Sequence, residues 1–285
     1  MLACTPAPES ALANIWAIAR RELRDALRSR WFALNTAAFV LLGVAVSFLS
    51  ASAGGGEGLS GFGRTTAGLV NLVTLVVPLM ALTAGAASVA GERERGMLAF
   101  LLSQPVTRFE VIAGKWLGLA LALTASIFLG FGLCAAIVAT RADADGASAL
   151  VVLALLTQFL ALGMLGVGLL ISVLSRRTSM ATGLAVFIWL LLAFATDLGL
   201  MAGTLTWKLS IQSILAACIV NPLQIFKIWS LDASGIPLDV LGPVGQYVMD
   251  KLPTALPWIA AGSLTLWAVV PVLVAAFLFA RKPAA

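Results

Sequence analysis

From Gly68 to Ala90 the chain reads "GLVNLVTLVVPLMALTAGAASVA", with no charged side chain. An apolar run of about 18 residues or more is long enough to cross the hydrocarbon core of a bilayer as a helix. One such run would make an anchored protein, and this chain has several. They predict an all-α integral membrane protein with six transmembrane helices: Trp31 to about Ser50, Gly68 to Ala90, Phe109 to Thr140, Ala147 to Leu174, Met180 to Met201, and Trp258 to Ala280. Only 11% of the residues are charged, against about 25% in a soluble domain, so a soluble fold of this length is excluded.

The absence of histidine removes the commonest general base and metal ligand. Gly114-Lys115 is the nearest approach to a phosphate-binding loop, but Trp116 follows it and Phe109 stands where the first glycine belongs. No catalytic residue is expected on this chain. Soft ligands for a copper ion would have to converge, whereas Cys4, Cys134, Cys218, Met80, Met164 and Met201 are scattered. No metal site is expected either. Residues 1–13, with Pro6 and Pro8, read as a disordered lead with no cleavable signal.

Positive charge sets the expected orientation. Arg20 to Arg30, Arg93, Arg95, Arg108, Lys115, Arg176, Arg177, Arg281 and Lys282 would share one side, with Arg64, Arg141, Lys208, Lys227 and Lys251 on the other. The first group puts both termini in the cytoplasm. Ahead of the first span, residues 14–30 place Trp16, Ala19, Leu23 and Leu27 at helical spacing, with Arg20, Arg24 and Arg28 on another face. A basic amphipathic helix of this kind lies in the membrane interface, although a solvated helix obeying the same charge rule reads similarly. Lys115, near the start of the third span, is expected to snorkel to the interface.

Between the fifth and sixth spans lies an extracytoplasmic insert, residues 202–257. Its semi-apolar piece breaks at Asn221-Pro222, since proline lacks the helix donor, and is expected to form a helical hairpin. Asp197, a charge within a span, is either a capping residue near the outer interface or an outer-gate residue. Asn221, Pro222, Phe226, Trp229 and Asp232 are candidates for binding a partner outside the cytoplasm, because aromatic residues are enriched where proteins meet.

Charge is densest at residues 91–110, "GERERGMLAFLLSQPVTRFE". Glu92, Arg93, Glu94 and Arg95 precede Gly96 and a short apolar helix containing Leu98, Leu101 and Leu102, and Arg108 follows. The stretch suits a docking element for another protein; a stop-transfer cluster would look alike by charge alone. The order E-x-E-x-G-x-L-x-x-L-L-x-x-P-x-x-R, with Met97 where threonine is usual, resembles a stretch of ABC-2 type transporter permeases. Within that family "IWAIARRELRDALRSRW", "TDLGL" and "NPLQIFKIWSLDASG" resemble the permeases of transporters that mature nitrous oxide reductase.

The resemblance implies a permease homodimer in the bacterial inner membrane. It also implies a cytoplasmic ABC ATPase dimer carrying ATP and magnesium, and a periplasmic maturation protein concerned with a copper site. It makes Glu92, Arg93, Glu94, Gly96, Leu98, Leu101, Leu102 and Arg108 the residues that receive the ATPase's motion. Rival expectations are an exporter of a lipid, drug or other amphipathic cargo, and an ATP-independent channel or scaffold. Nucleic acid is not expected as a partner.

Overall fold

Lipid offers the backbone no hydrogen bonds, so a spanning chain must satisfy its own polar groups within helices or closed barrels. The computed structural model describes residues 8–53, 59–139, 144–195, 211–241 and 243–281, and every regular element among them is helical. In chain order these are α1 (Pro8–Arg28), α2 (Arg30–Ala53), α3 (Leu59–Glu94), α4 (Met97–Leu102), α5 (Arg108–Ala139), α6 (Ala144–Leu174) and α7 (Thr178–Leu190), which continues as a π-helical turn, Leu191–Ala195. After residues 196–210 come α8 (Ile211–Val220), α9 (Pro222–Ala233), a 3-10 turn (Leu238–Leu241), α10 (Pro243–Lys251) and α11 (Leu256–Arg281).

Among the described residues five helices are long and apolar enough to cross a membrane: α2, α3, α5, α6 and α11. The α8–α9 pair, bent by 102° at its break, would bring the number to six if it is one span. These elements match the expected runs closely at the first, third, fourth and last spans, while α3 extends beyond both expected ends. For the fifth, the described apolar helix covers Thr178–Phe194; Asp197 and Met201 lie outside the described residues. α1 begins at Pro8, ahead of Asn14, so residues 8–13 of the expected lead are helical.

Packing is centred on α3 and α6. Within their apolar windows 61% and 67% of residues are buried, against 28% for both α2 and α11, which are peripheral. Side chains do not explain how closely the central pair approaches. A Cβ built on Gly168 would lie 2.5 Å from the Leu82 carbonyl oxygen, and one on Gly85 would lie 2.8 Å from that of Leu165. The two backbones therefore touch, as small residues permit between membrane helices. On the α2–α5 side, Phe39 meets Phe131 edge to face at 5.9 Å between ring centroids, a favourable geometry for aromatic pairs.

α1 is an amphipathic helix that packs against the beginning of α5. Ala19 is fully buried, and a Cβ on Gly118 would lie 2.5 Å from its carbonyl oxygen. Arg20, Arg24 and Arg28 are exposed, as are Leu12, Trp16 and Leu27. The helix thus carries one face committed to the protein and a second apolar edge left open.

Candidate functional site

The dense charges at the end of α3 lie where four helices converge. Glu92 is 7% exposed and Lys115, on α5, only 1%. Lys115 Nζ lies 3.0 Å from Glu22 Oε2 on α1 and 3.1 Å from Glu92 Oε1 on α3. Arg21 approaches the same Glu92 oxygen at 3.5 Å and Asp25 at 3.7 Å. Lys115 therefore does not snorkel to the interface. Its stem runs inward because the two carboxylates await it there, and a buried ammonium is tolerated when paired.

The remaining charges bind α3 to the α6–α7 turn. Arg93 Nη1 donates to the carbonyls of Val173 (3.4 Å) and Ser175. Glu94 Oε2 accepts from the Thr178 backbone N–H at 2.9 Å, where an acceptor satisfies an orphan donor at the start of α7. Higher in the seam, Ser172 Oγ accepts from the N–H groups of Val89 (3.0 Å) and Ala90 (2.8 Å). A movement at residues 92–94 is thereby tied to α6 and α7 as well as α1 and α5.

Gly96 has φ +71°, a left-handed conformation that favours glycine, and it turns the chain from α3 into α4. Leu98 is buried against Val111, Ile112 and Phe279, with Leu101 packed beside them; the side chain of Leu102 lies outside the described residues. Arg108 donates to the Phe279 carbonyl at 2.9 Å and lies 5.8 Å from that residue's ring centroid, fastening α5 to α11. The leucines thus face inward. What α4 and its neighbours expose is Met97 (44%), Phe100 (67%) and Phe109 (59%), beside exposed Glu94 and Arg95. Direct contact of Glu92 or Leu98 with another protein is not available in this conformation, since both are buried.

Sequence reading missed Glu22, Lys115 as a pairing residue, and Glu110. Glu110 was findable: Thr107-x-x-Glu110 is a capping box, in which Glu110 Oε2 accepts from Thr107 N at 3.2 Å and Thr107 Oγ1 from Glu110 N at 3.3 Å. Asn14 of α1 donates to the same carboxylate at 3.1 Å. Lys115 offered a weaker signal, as the charge set deepest into an apolar helix, beyond Arg108 and Glu110, where it calls for a partner.

The insert's candidates are placed differently from expectation. Asn221 caps α9, its side chain accepting from Leu223 N at 2.9 Å, and donates to the Leu192 carbonyl at 2.7 Å. Pro222 occupies the first turn, where its missing N–H costs nothing. Phe226 is fully buried. These three build the bend, whereas Trp229 is half-buried and Asp232 exposed, leaving the last two able to reach a partner.

An α-helical bundle with five or six candidate spans, a charged convergence at the end of α3 and an exposed apolar tip is the geometry against which the comparisons stand. The family described as ABC-2 family transporter protein matches residues 16–283. A Pseudomonas aeruginosa protein named "Probable ABC transporter permease protein NosY" is 32% identical over 280 residues, aligning 94% of this chain and 98% of that one. A Stutzerimonas stutzeri protein of the same name is 30% identical over 293 residues, aligning 94% and 99%. The chain is a multi-pass membrane protein and belongs to the ABC-2 family of transporter permeases.

Proposed function

We propose that this permease couples ATP hydrolysis on a separate cytoplasmic ATPase dimer to a periplasmic process, the maturation of the copper site of nitrous oxide reductase. The observation that carries this reading is the near-full-length similarity to two permeases named NosY, together with the resemblance of the sequences of α1, residues 196–200 and α9 to maturation permeases. ATP and magnesium belong to the partner, since this chain contributes no nucleotide loop. In this reading the protein is a homodimer of the bacterial inner membrane. It has six spans, both termini in the cytoplasm, and α1 along the inner interface.

Met97, Phe100 and Phe109 form the apolar part of the ATPase-facing tip, and Glu92, Arg93, Glu94 and Arg108 pass its movement into the bundle. At the far end, Asp232 and Trp229 face a periplasmic maturation protein, and Asp197 serves the outer ends of the spans. Deleting the gene in a host that makes nitrous oxide reductase tests the reading. The reductase should accumulate with depleted copper, and the permease should co-purify with an ATPase. A reductase with full copper content in the deletion strain would overturn it.

A further inference from the structure

Beside the charged cluster, and sharing Glu92 and Lys115 with it, a cleft of about 1070 Å³ lies between α1, α2, α3, α5 and α7. Its walls change character along its length. At one end it is lined by Glu92 and Lys115 with the exposed Arg21 and Arg95; further along come Trp31, Phe32 and Met80. Met80 and Glu92 are separated along α3 by about 18 Å, at about 1.5 Å per residue. That length suits an amphipathic molecule with a polar head and an apolar tail.

The polar end also specifies the head. Ser88 and Glu92, one helical turn apart, both line the cleft and are only 8% and 7% exposed. Ser88 Oγ and Glu92 Oε2 have no hydrogen-bond partner among the described residues. Buried acceptors without donors are costly and rare, so a donor from outside the chain fits here. The charges around it balance: Arg21, Arg95 and Lys115 stand against Glu22, Asp25 and Glu92. A simple anion or cation finds no excess of opposite charge, whereas a head carrying both signs can set each against its opposite.

We propose that this cleft binds a phospholipid whose zwitterionic head carries a primary amine, the phosphatidylethanolamine type. Its ammonium meets Glu92 Oε2 and Ser88 Oγ, its phosphate turns toward Arg21 and Arg95, and a tail follows Trp31, Phe32 and Met80. A choline head has no N–H to donate, and a glycerol head has no positive charge for Glu92. The placement rests on the reading that the end of α3 lies at the cytoplasmic leaflet, and is independent of what the transporter matures.

The test extracts the full-length permease from bilayers made of equal parts phosphatidylethanolamine, phosphatidylcholine and phosphatidylglycerol. Lipid retained per chain is then counted by native mass spectrometry. Phosphatidylethanolamine should be retained about ten-fold over either rival, the discrimination expected of one charge-assisted hydrogen bond. Ala87→Trp, which fills the cleft wall, should abolish retention while thermal unfolding reports an intact fold. If that variant does not fold, Ser88→Ala decides, since it removes one acceptor without adding volume and should narrow the preference several-fold. Equal retention of the three lipids, or a preference unchanged in the folded variants, overturns the proposal. Either result leaves the copper measurement on the reductase untouched, so the two readings fail separately.

Discussion

Lys115 and Glu92 are joined at 3.1 Å across the α5–α3 interface, and the same Glu92 oxygen is approached by Arg21 of α1 at 3.5 Å. One carboxylate thereby receives cations from two helices, and it stands two residues before the end of α3. Any tilt of α3 relative to α1 must stretch or break this arrangement.

Lys115→Met should therefore destabilise the permease by about 3–5 kcal/mol, because it leaves Glu22 and Glu92 without their buried cation. Adding Glu92→Gln should return part of the loss. Thermal unfolding of the purified variants measures both effects. An unaltered midpoint for the single variant would show that the ion pair contributes nothing.

Gly85→Leu or Gly168→Leu should force α3 and α6 apart, since a Cβ at either position falls within 3.0 Å of backbone atoms on the facing helix. Overpacking of this kind costs about 1–3 kcal/mol or more. Gly132→Ala and Gly262→Ala meet nothing within 4 Å and serve as controls with wild-type yield. Comparable folded yields for all four, measured by size-exclusion chromatography, would contradict the close approach.

Ser172→Ala removes the hydroxyl that accepts from Val89 and Ala90. The cost should be about 0.5–1.5 kcal/mol, the net worth of a hydrogen bond, because Val89 and Ala90 remain inside α3. Hydrogen exchange should rise locally, near residues 89–92 of α3, with no change in α2. A uniform rise across all helices would instead indicate general loosening.

Phe100→Asp should weaken association with the ATPase, because an exposed aromatic at an interface centre often contributes more than 1 kcal/mol. Arg24→Asp, on the exposed face of α1, should not. Co-purification at fixed detergent and salt separates the two. Glu92→Ala with Glu94→Ala should leave the ATPase bound but lower its stimulation; retained stimulation would reduce the charge cluster to a topology signal.

Reporter fusions after Arg177 and after Ala233 should report opposite sides of the membrane, the former cytoplasmic. A cytoplasmic signal from both would remove the six-span arrangement.

The class of this protein was written in its one-dimensional pattern. Hydrocarbon admits few structures, so an apolar stretch such as 68–90 dictates a helix without reference to anything else in the chain. Asn221-Pro222 likewise announced a bend locally, because proline's missing donor acts wherever it stands. Lys115 shows where that reading stops. Taken alone it is a charge near a helix end, and a long flexible side chain at such a place can equally turn outward to water or inward to a partner. Glu22 and Glu92 decided the matter, and they reach it only because α1 and α3 pack on either side of it. The inward turn of Leu98 and Phe226, and the cleft where Ser88 Oγ and Glu92 Oε2 lack partners among the described residues, have the same origin. Burial and pairing are properties of helix faces brought together at specific angles, and no single segment carries that information.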